Sequence, residues 1–92
     1  MMVFLNTQFN EDEAFILMEF INHFNMEVSI VYSVDTDKLT GVNCPNRMIS
    51  VGGLFLVEEK DETQEWYMGD KNGDTYDFWG NYGNLKDALN GL

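Results

Sequence analysis

The segment Asp70-Lys71-Asn72-Gly73-Asp74 comes nearest to a known chemistry. Oxygen donors at alternate positions open an EF-hand loop, in which Asp70, Asn72 and Asp74 would be the first, third and fifth calcium ligands. The match then fails. Thr75 stands at the sixth position, where the sharp turn needs glycine, and Asn81 at the twelfth, where a bidentate Glu completes the shell. The flanks carry an aromatic strand pattern rather than two helices. Asn72-Gly73 is also the preferred centre of a type I′ hairpin turn, because both central residues need φ > 0. A tight turn is therefore expected here, and no metal site is assigned.

His23 and Cys44 are single representatives of their residue types. A zinc site takes three or four Cys or His ligands, which one chain with this pair does not supply. Nothing local activates Cys44, which precedes the only proline, Pro45, in a loop-forming stretch. His23 sits near a helix C-terminus, where a positive charge is favoured in any case. A glycosidase needs two acids in distinct environments, but with so many carboxylates some pair meets any distance by chance. Gly52-Gly53 and Gly80-Asn81-Tyr82-Gly83 lack the Lys and the strand-to-helix setting of a phosphate loop. No catalytic residue and no cofactor is assigned, and a non-enzymatic protein is expected.

The acids are the feature that needs a reason. Sixteen Asp and Glu stand against five Lys and Arg in 92 residues, a formal net charge of −11. Glu58, Glu59, Asp61, Glu62 and Glu65 lie close together in sequence, and Asp70, Asp74 and Asp77 follow. Glu11, Asp12 and Glu13 crowd a helix start, where the helix dipole already explains them. A net charge of magnitude 2–8 is about what keeps a small domain soluble, and −11 exceeds it at a cost in self-repulsion. Scattered cations exclude direct binding to nucleic acid or to an anionic membrane, both of which need clustered Lys and Arg. A basic partner is favoured instead. Alternate side chains on one strand face recur about every 6.6 Å, so carboxylates at that pitch present a row of charge like a nucleic-acid backbone. The expected partner-binding residues are Glu58, Glu59, Asp61, Glu62, Glu65, Asp70, Asp74 and Asp77, with exposed Trp66 or Tyr67 as an aromatic anchor.

The elements that must position these residues follow from periodicity. Met1 to Phe9 reads as a first strand. Asn10 is an N-cap with Glu13 in capping-box position and Phe9 able to staple onto Ala14. From Glu11 to about Asn25 the pattern is helical, with Ala14, Leu17, Met18, Ile21 and Phe24 on one face. Phe15, Ile16 and Phe20 widen that stripe, so the helix is expected to pack on the sheet and also to contact another subunit. Met26 to Asp35 alternates as a strand, with Met26, Val28, Ile30, Tyr32 and Val34 inward. Asp35 to Asn46 reads as a loop, and Arg47 to Glu59 as a strand interrupted at Gly52-Gly53. Glu65 to Asn81 reads as a hairpin pairing Lys71 with Asp74, Tyr67 with Phe78 and Trp66 with Trp79. Asn84 caps a short last helix that ends at Gly91. The whole is expected to be one acidic α+β domain over residues 1–92, in the order β-α-β-β-β-β-α, with a mainly antiparallel sheet.

One cysteine permits no intramolecular disulfide. The start, Met1 to Asn6, has no basic region, and the run from Ala14 to Met18 is far shorter than the roughly 20 residues that span a bilayer. A soluble, cytoplasmic protein is expected.

In size and charge the chain resembles the small acidic DNA-mimic inhibitors that phages and mobile elements direct against host factors. Glu58, Glu59, Asp61, Glu62, Glu65, Asp70, Asp74 and Asp77 carry the likeness, without a shared motif. The resemblance implies a target such as a histone-like protein, a nuclease, a repair enzyme or a polymerase, in the host cytoplasm if the chain is phage-encoded. An immunity-type protein capping a basic toxin uses the same physics. A third possibility is a structural subunit, in which Phe15, Phe20, Trp66 and Trp79 build a homo-oligomer and the acids keep it soluble. A homodimer through the apolar helix face is expected as well.

Overall fold

Neighbouring residues on the inner strands, such as Met48 and Ile49 or Leu56 and Val57, point to opposite sheet faces. All four are fully buried. The sheet must therefore be covered on both sides, and the rest of the chain supplies the two covers. A computed structural model describes residues 1–60 and 65–92. In chain order the elements are β1 (Met2–Phe4), α1 (Glu11–Phe24), β2 (Val28–Val31), β3 (Ser33–Asp35), a 3-10 turn (Thr36–Lys38) and β4 (Leu39–Thr40). There follow β5 (Pro45–Val51), β6 (Leu54–Glu59), β7 (Trp66–Asn72), β8 (Thr75–Tyr82) and α2 (Leu85–Asn90).

Six strands form the main sheet in the order β2-β5-β6-β7-β8-β4, antiparallel except where β4 runs parallel to β8. The helices cover one face: Phe20, Leu85, Ala88 and Leu89 pack on Ile49, Val51, Leu56, Trp66 and Met68. An antiparallel ribbon of β1 and β3 belongs to the other side, where Leu5, Val34 and Val42 pack with Met48, Val57 and Phe78. The fold is α+β with a mostly antiparallel sheet, as the sequence implied. Among the described residues, no helix is long and apolar enough to cross a membrane.

Several details differ from the sequence reading, each for a reason visible in the packing. Only Met2–Phe4 of the first segment is strand; the chain then leaves the ribbon, and Asn6 donates its amide to the Asn46 carbonyl. Met26 to Asp35 is two strands, because at Tyr32 the chain passes from the main sheet to the ribbon. Tyr32 and Met26 are accordingly exposed, while Val34 is buried in the second layer. Gly52-Gly53 does not interrupt one strand but turns the chain into the β5–β6 hairpin, with Val51 opposite Leu54 and Gly52 at φ +60°. In α1, Phe20 is buried and Ile16 and Leu17 pack beside it, whereas Ala14, Met18 and Phe24 are exposed. Phe9 does not need Ala14 as a staple partner: its ring stacks on Trp66 at 6.4 Å.

The β7–β8 hairpin turns one residue later than expected. Asn72 pairs with Thr75, and Gly73-Asp74 forms the loop. Gly73 takes φ +62° and Asp74 does not take positive φ, the pattern of a type II′ turn rather than I′. A bulge then leaves Trp79 without a partner, since Met68 faces Gly80 and Gly69 faces Phe78. Trp66 consequently opposes Tyr82, and Tyr67 opposes Asn81. Gly69 is required there, because a Cβ would run into the Asp77 carbonyl oxygen.

Candidate functional site

Strand parity brings one cation into the protein. Arg47, the single arginine, shares its β5 face with Ile49 and Val51, and Glu58 shares its β6 face with Leu56 and Leu54. The two are register partners across the hairpin. Glu58 takes Arg47 Nε on one oxygen at 2.8 Å and Nη2 on the other at 2.6 Å. Glu13, at the third position of α1, takes Nη1 and Nη2, each at 2.7 Å. Nη1 also donates to the Gln8 carbonyl at 3.1 Å. All five guanidinium N–H groups are thereby used.

The same Glu13 completes the capping box. Its Oε1 accepts from the Asn10 amide at 3.1 Å, and its own amide donates to Asn10 Oδ1 at 2.8 Å. Asn46 Nδ2 adds a 2.6 Å bond to Glu58. The Phe9 and Trp66 rings lie 4.6 and 5.5 Å from the guanidinium carbon, close enough for cation–π attraction. The hydrogen bonds from Arg47 hold the Glu13 carboxyl below its ordinary pKa, against the opposing effect of burial. Arg47 is held above its own ordinary value, first by Glu58 and then by Glu13. A polar cleft of about 420 Å³ opens over this cluster, lined also by Asn6, Gln8 and Asn10. With all five of its N–H groups satisfied, Arg47 ties α1 to the sheet.

This arrangement changes the expected partner surface. Glu58 is only 3% exposed and belongs to Arg47, so it is not a surface acid. Trp66 is 2% exposed in the core, so it is not an exposed anchor, because its strand face is the one the helices cover. Glu59 accepts from the Asn43 and Cys44 amides at 3.3 and 2.9 Å and so fixes that loop. Glu65 accepts from the Tyr67 hydroxyl at 3.2 Å and from Asn81 Nδ2 at 3.3 Å. Tyr67 is half-buried on the ribbon side. Asp61 and Glu62 lie outside the described residues.

The acids left over gather at the far end of the hairpin. Asp70 is exposed and directly opposite the half-buried Asp77, and Asp74 sits in the turn with its side chain 90% exposed. Lys38 approaches Asp74 at 3.9 Å, and Lys71 lies over the Tyr76 ring at 5.6 Å. From Glu65 to Asp70 the strand runs about 16 Å, so the acids form two groups rather than one row.

The helices carry a second surface. Between α1 and α2 lies a groove of about 720 Å³ lined by Phe15, Ile16, Phe20, Phe24 and Leu89, with Glu19, His23 and Lys86 among its polar residues. Trp66 is a core residue and so is unavailable to the expected oligomer contact, Phe20 is buried and reaches the surface only as floor of this groove, and Phe15 and Trp79 are exposed. His23 packs edge-on to Phe24 at 4.6 Å, and Cys44 is an exposed thiol elsewhere in the chain. Among the described residues, no group of three or more His, Cys, Asp or Glu is placed to hold a metal ion.

The Arg47 cluster was missed by sequence reasoning, although parity carried the signal: an arginine in register with Ile49 and Val51 is an inward charge that needs partners. No protein-family model, no curated protein and no solved structure matches this chain.

Proposed function

We propose that this chain is a non-enzymatic acidic binding protein that occupies the nucleic-acid-binding surface of a basic partner and blocks its access to DNA. The observation that carries this reading is the hairpin tip, where Asp70 and Asp77 oppose each other across adjacent strands beside Asp74. Like charges directly opposite destabilise a sheet, and no cation pairs with Asp70 or Asp77 among the described residues. Glu11, Asp12, Glu27 and Asp87 add exposed charge without an ion-pair partner among the described residues, so the excess of −11 stays largely at the surface. A basic groove built for phosphates would be drawn to such a surface, with fast association and a steep salt dependence.

The test is capture from a nuclease-treated bacterial lysate, with the triple variant Asp70→Lys, Asp74→Lys, Asp77→Lys in parallel. The wild type should retain a basic nucleic-acid-binding protein that rising salt or added duplex DNA releases. The variant should keep its thermal transition and lose the partner. Retention that ignores the charge reversal would overturn the reading.

A further inference from the structure

We propose that the groove between α1 and α2 is a two-fold contact surface for a second copy of this chain. Three observations meet there. First, α1 carries exposed rings at the rims of the groove: Phe15 and Phe24, both of which line it, are 63% and 53% exposed. The groove beside them has an apolar floor of Ile16, Phe20 and Leu89, so each copy carries both protruding rings and a furrow to receive them. Contiguous apolar surface of this kind marks contact sites on soluble proteins.

Second, the patch is close to electrically neutral on a chain of −11. From Ala14 to Met26 the one acid is Glu19, and α2 brings Lys86 to the facing wall. Two copies approaching by an acid-rich face would press charge on charge, whereas the groove itself is lined by one acid and one lysine, Glu19 and Lys86. Third, the two charges are self-complementary. Glu19 and Lys86 line opposite walls, and neither has an ion-pair partner among the described residues. In a two-fold contact every residue pair occurs twice, so Glu19 of one copy meets Lys86 of the other, and the reverse. The proposal is independent of the acidic hairpin tip, which lies on other elements.

The experiment is sedimentation equilibrium from low micromolar to hundreds of micromolar, with circular dichroism on every variant. The wild type should approach twice its 10.6 kDa chain mass, and added salt should hold or strengthen association by screening the net charge. Phe15→Glu, at an exposed position, should stay folded and monomeric. Glu19→Lys and Lys86→Glu should each weaken association by at least about tenfold, and the two together should restore it, because like-charge contacts are replaced by opposite ones. A monomer at every concentration overturns the proposal, as does a dimer that survives Phe15→Glu. A double variant that fails to recover overturns the two-fold pairing. Should a monomeric wild type instead bind dodecanoate, with shifts confined to Phe15, Phe24 and Leu89 resonances, the groove belongs to a small amphiphile and the proposal fails.

Discussion

Glu58 and Asp70 lie on neighbouring strands, on the side of the sheet that the helices cover, and their carboxylates have opposite fates. Glu58 sits near the end that the start of α1 overlies, where Arg47, Asn46 and Glu13 enclose it. Asp70 lies at the other end of the sheet, exposed, and faces Asp77. One acid is a structural component and the other is surface charge, although the sequence places both in the same acid-rich stretch. The comparison teaches that net charge overstates available charge: what an acid can do depends on its parity along the strand and on what covers that end.

The largest effect is expected from breaking the enclosed side. Arg47→Ala leaves Glu58 almost fully buried, and Glu13 beside it, with no cation. Removing one partner from a buried ion cluster costs about 3–5 kcal/mol, against about 5–15 kcal/mol for the whole stability of a small domain. The urea midpoint at neutral pH should fall accordingly. Asp70→Ala should cost no stability and, by relieving the repulsion from Asp77, should raise it by about 0.2–1 kcal/mol. Equal losses from the two substitutions would erase the distinction drawn here.

A smaller effect, with a sign set by pH, comes from Glu13→Gln. Arg47 holds the Glu13 carboxyl below its ordinary value of 4.5 in the folded protein. The folded state therefore binds this proton less readily than the unfolded chain. The stabilisation is present above pH 4.5 and is lost as pH falls through the depressed folded value. Glu13→Gln should cost about 1.5–3 kcal/mol at neutral pH, the range for hydrogen bonds to charged groups. The gap between variant and wild type should close in acid. A gap of constant size from neutral to acid pH would mean that the cap and the packing of Glu13, rather than its charge, secure α1.

The fold class was legible because its signals are local. The Asn10 cap with Glu13, the strand pattern within Arg47 to Glu59 and the Asn84 cap each depend on a few adjacent residues. What escaped depends on partners distant in sequence. The turn at Gly73-Asp74 and the bulge at Trp79 are settled by how β7 and β8 pair along their whole length, with Gly69 pressed on the Asp77 backbone. The buried face of α1 was misassigned because its apolar stripe is wide, and the sheet selects Phe20 from several candidates. For the site, Asp70, Asp74 and Asp77 were legible as hairpin acids, and the first two are exposed. Glu58 was not, since the count of acids hid its parity with Leu56.

The smallest effect sharpens the exposed side. If Asp70 and Asp77 only repel each other, Asp77→Asn should stabilise the hairpin by about 0.2–1 kcal/mol, the range for cross-strand pairs. Asp70→Asn should do the same, and the double variant should gain little more than either, because one repulsion is removed only once. The gain should shrink as salt screens the pair, while the loss from Arg47→Ala should persist in salt, because buried pairs are screened much less. Thermal melts of five proteins, the wild type and these four variants, at low and high salt suffice. A loss of stability on Asp77→Asn would mean that this half-buried carboxylate holds a neighbouring backbone or side-chain group. Asp77 would then belong with Glu58 among the structural acids, and the hairpin tip would keep only Asp70 and Asp74 to offer a partner.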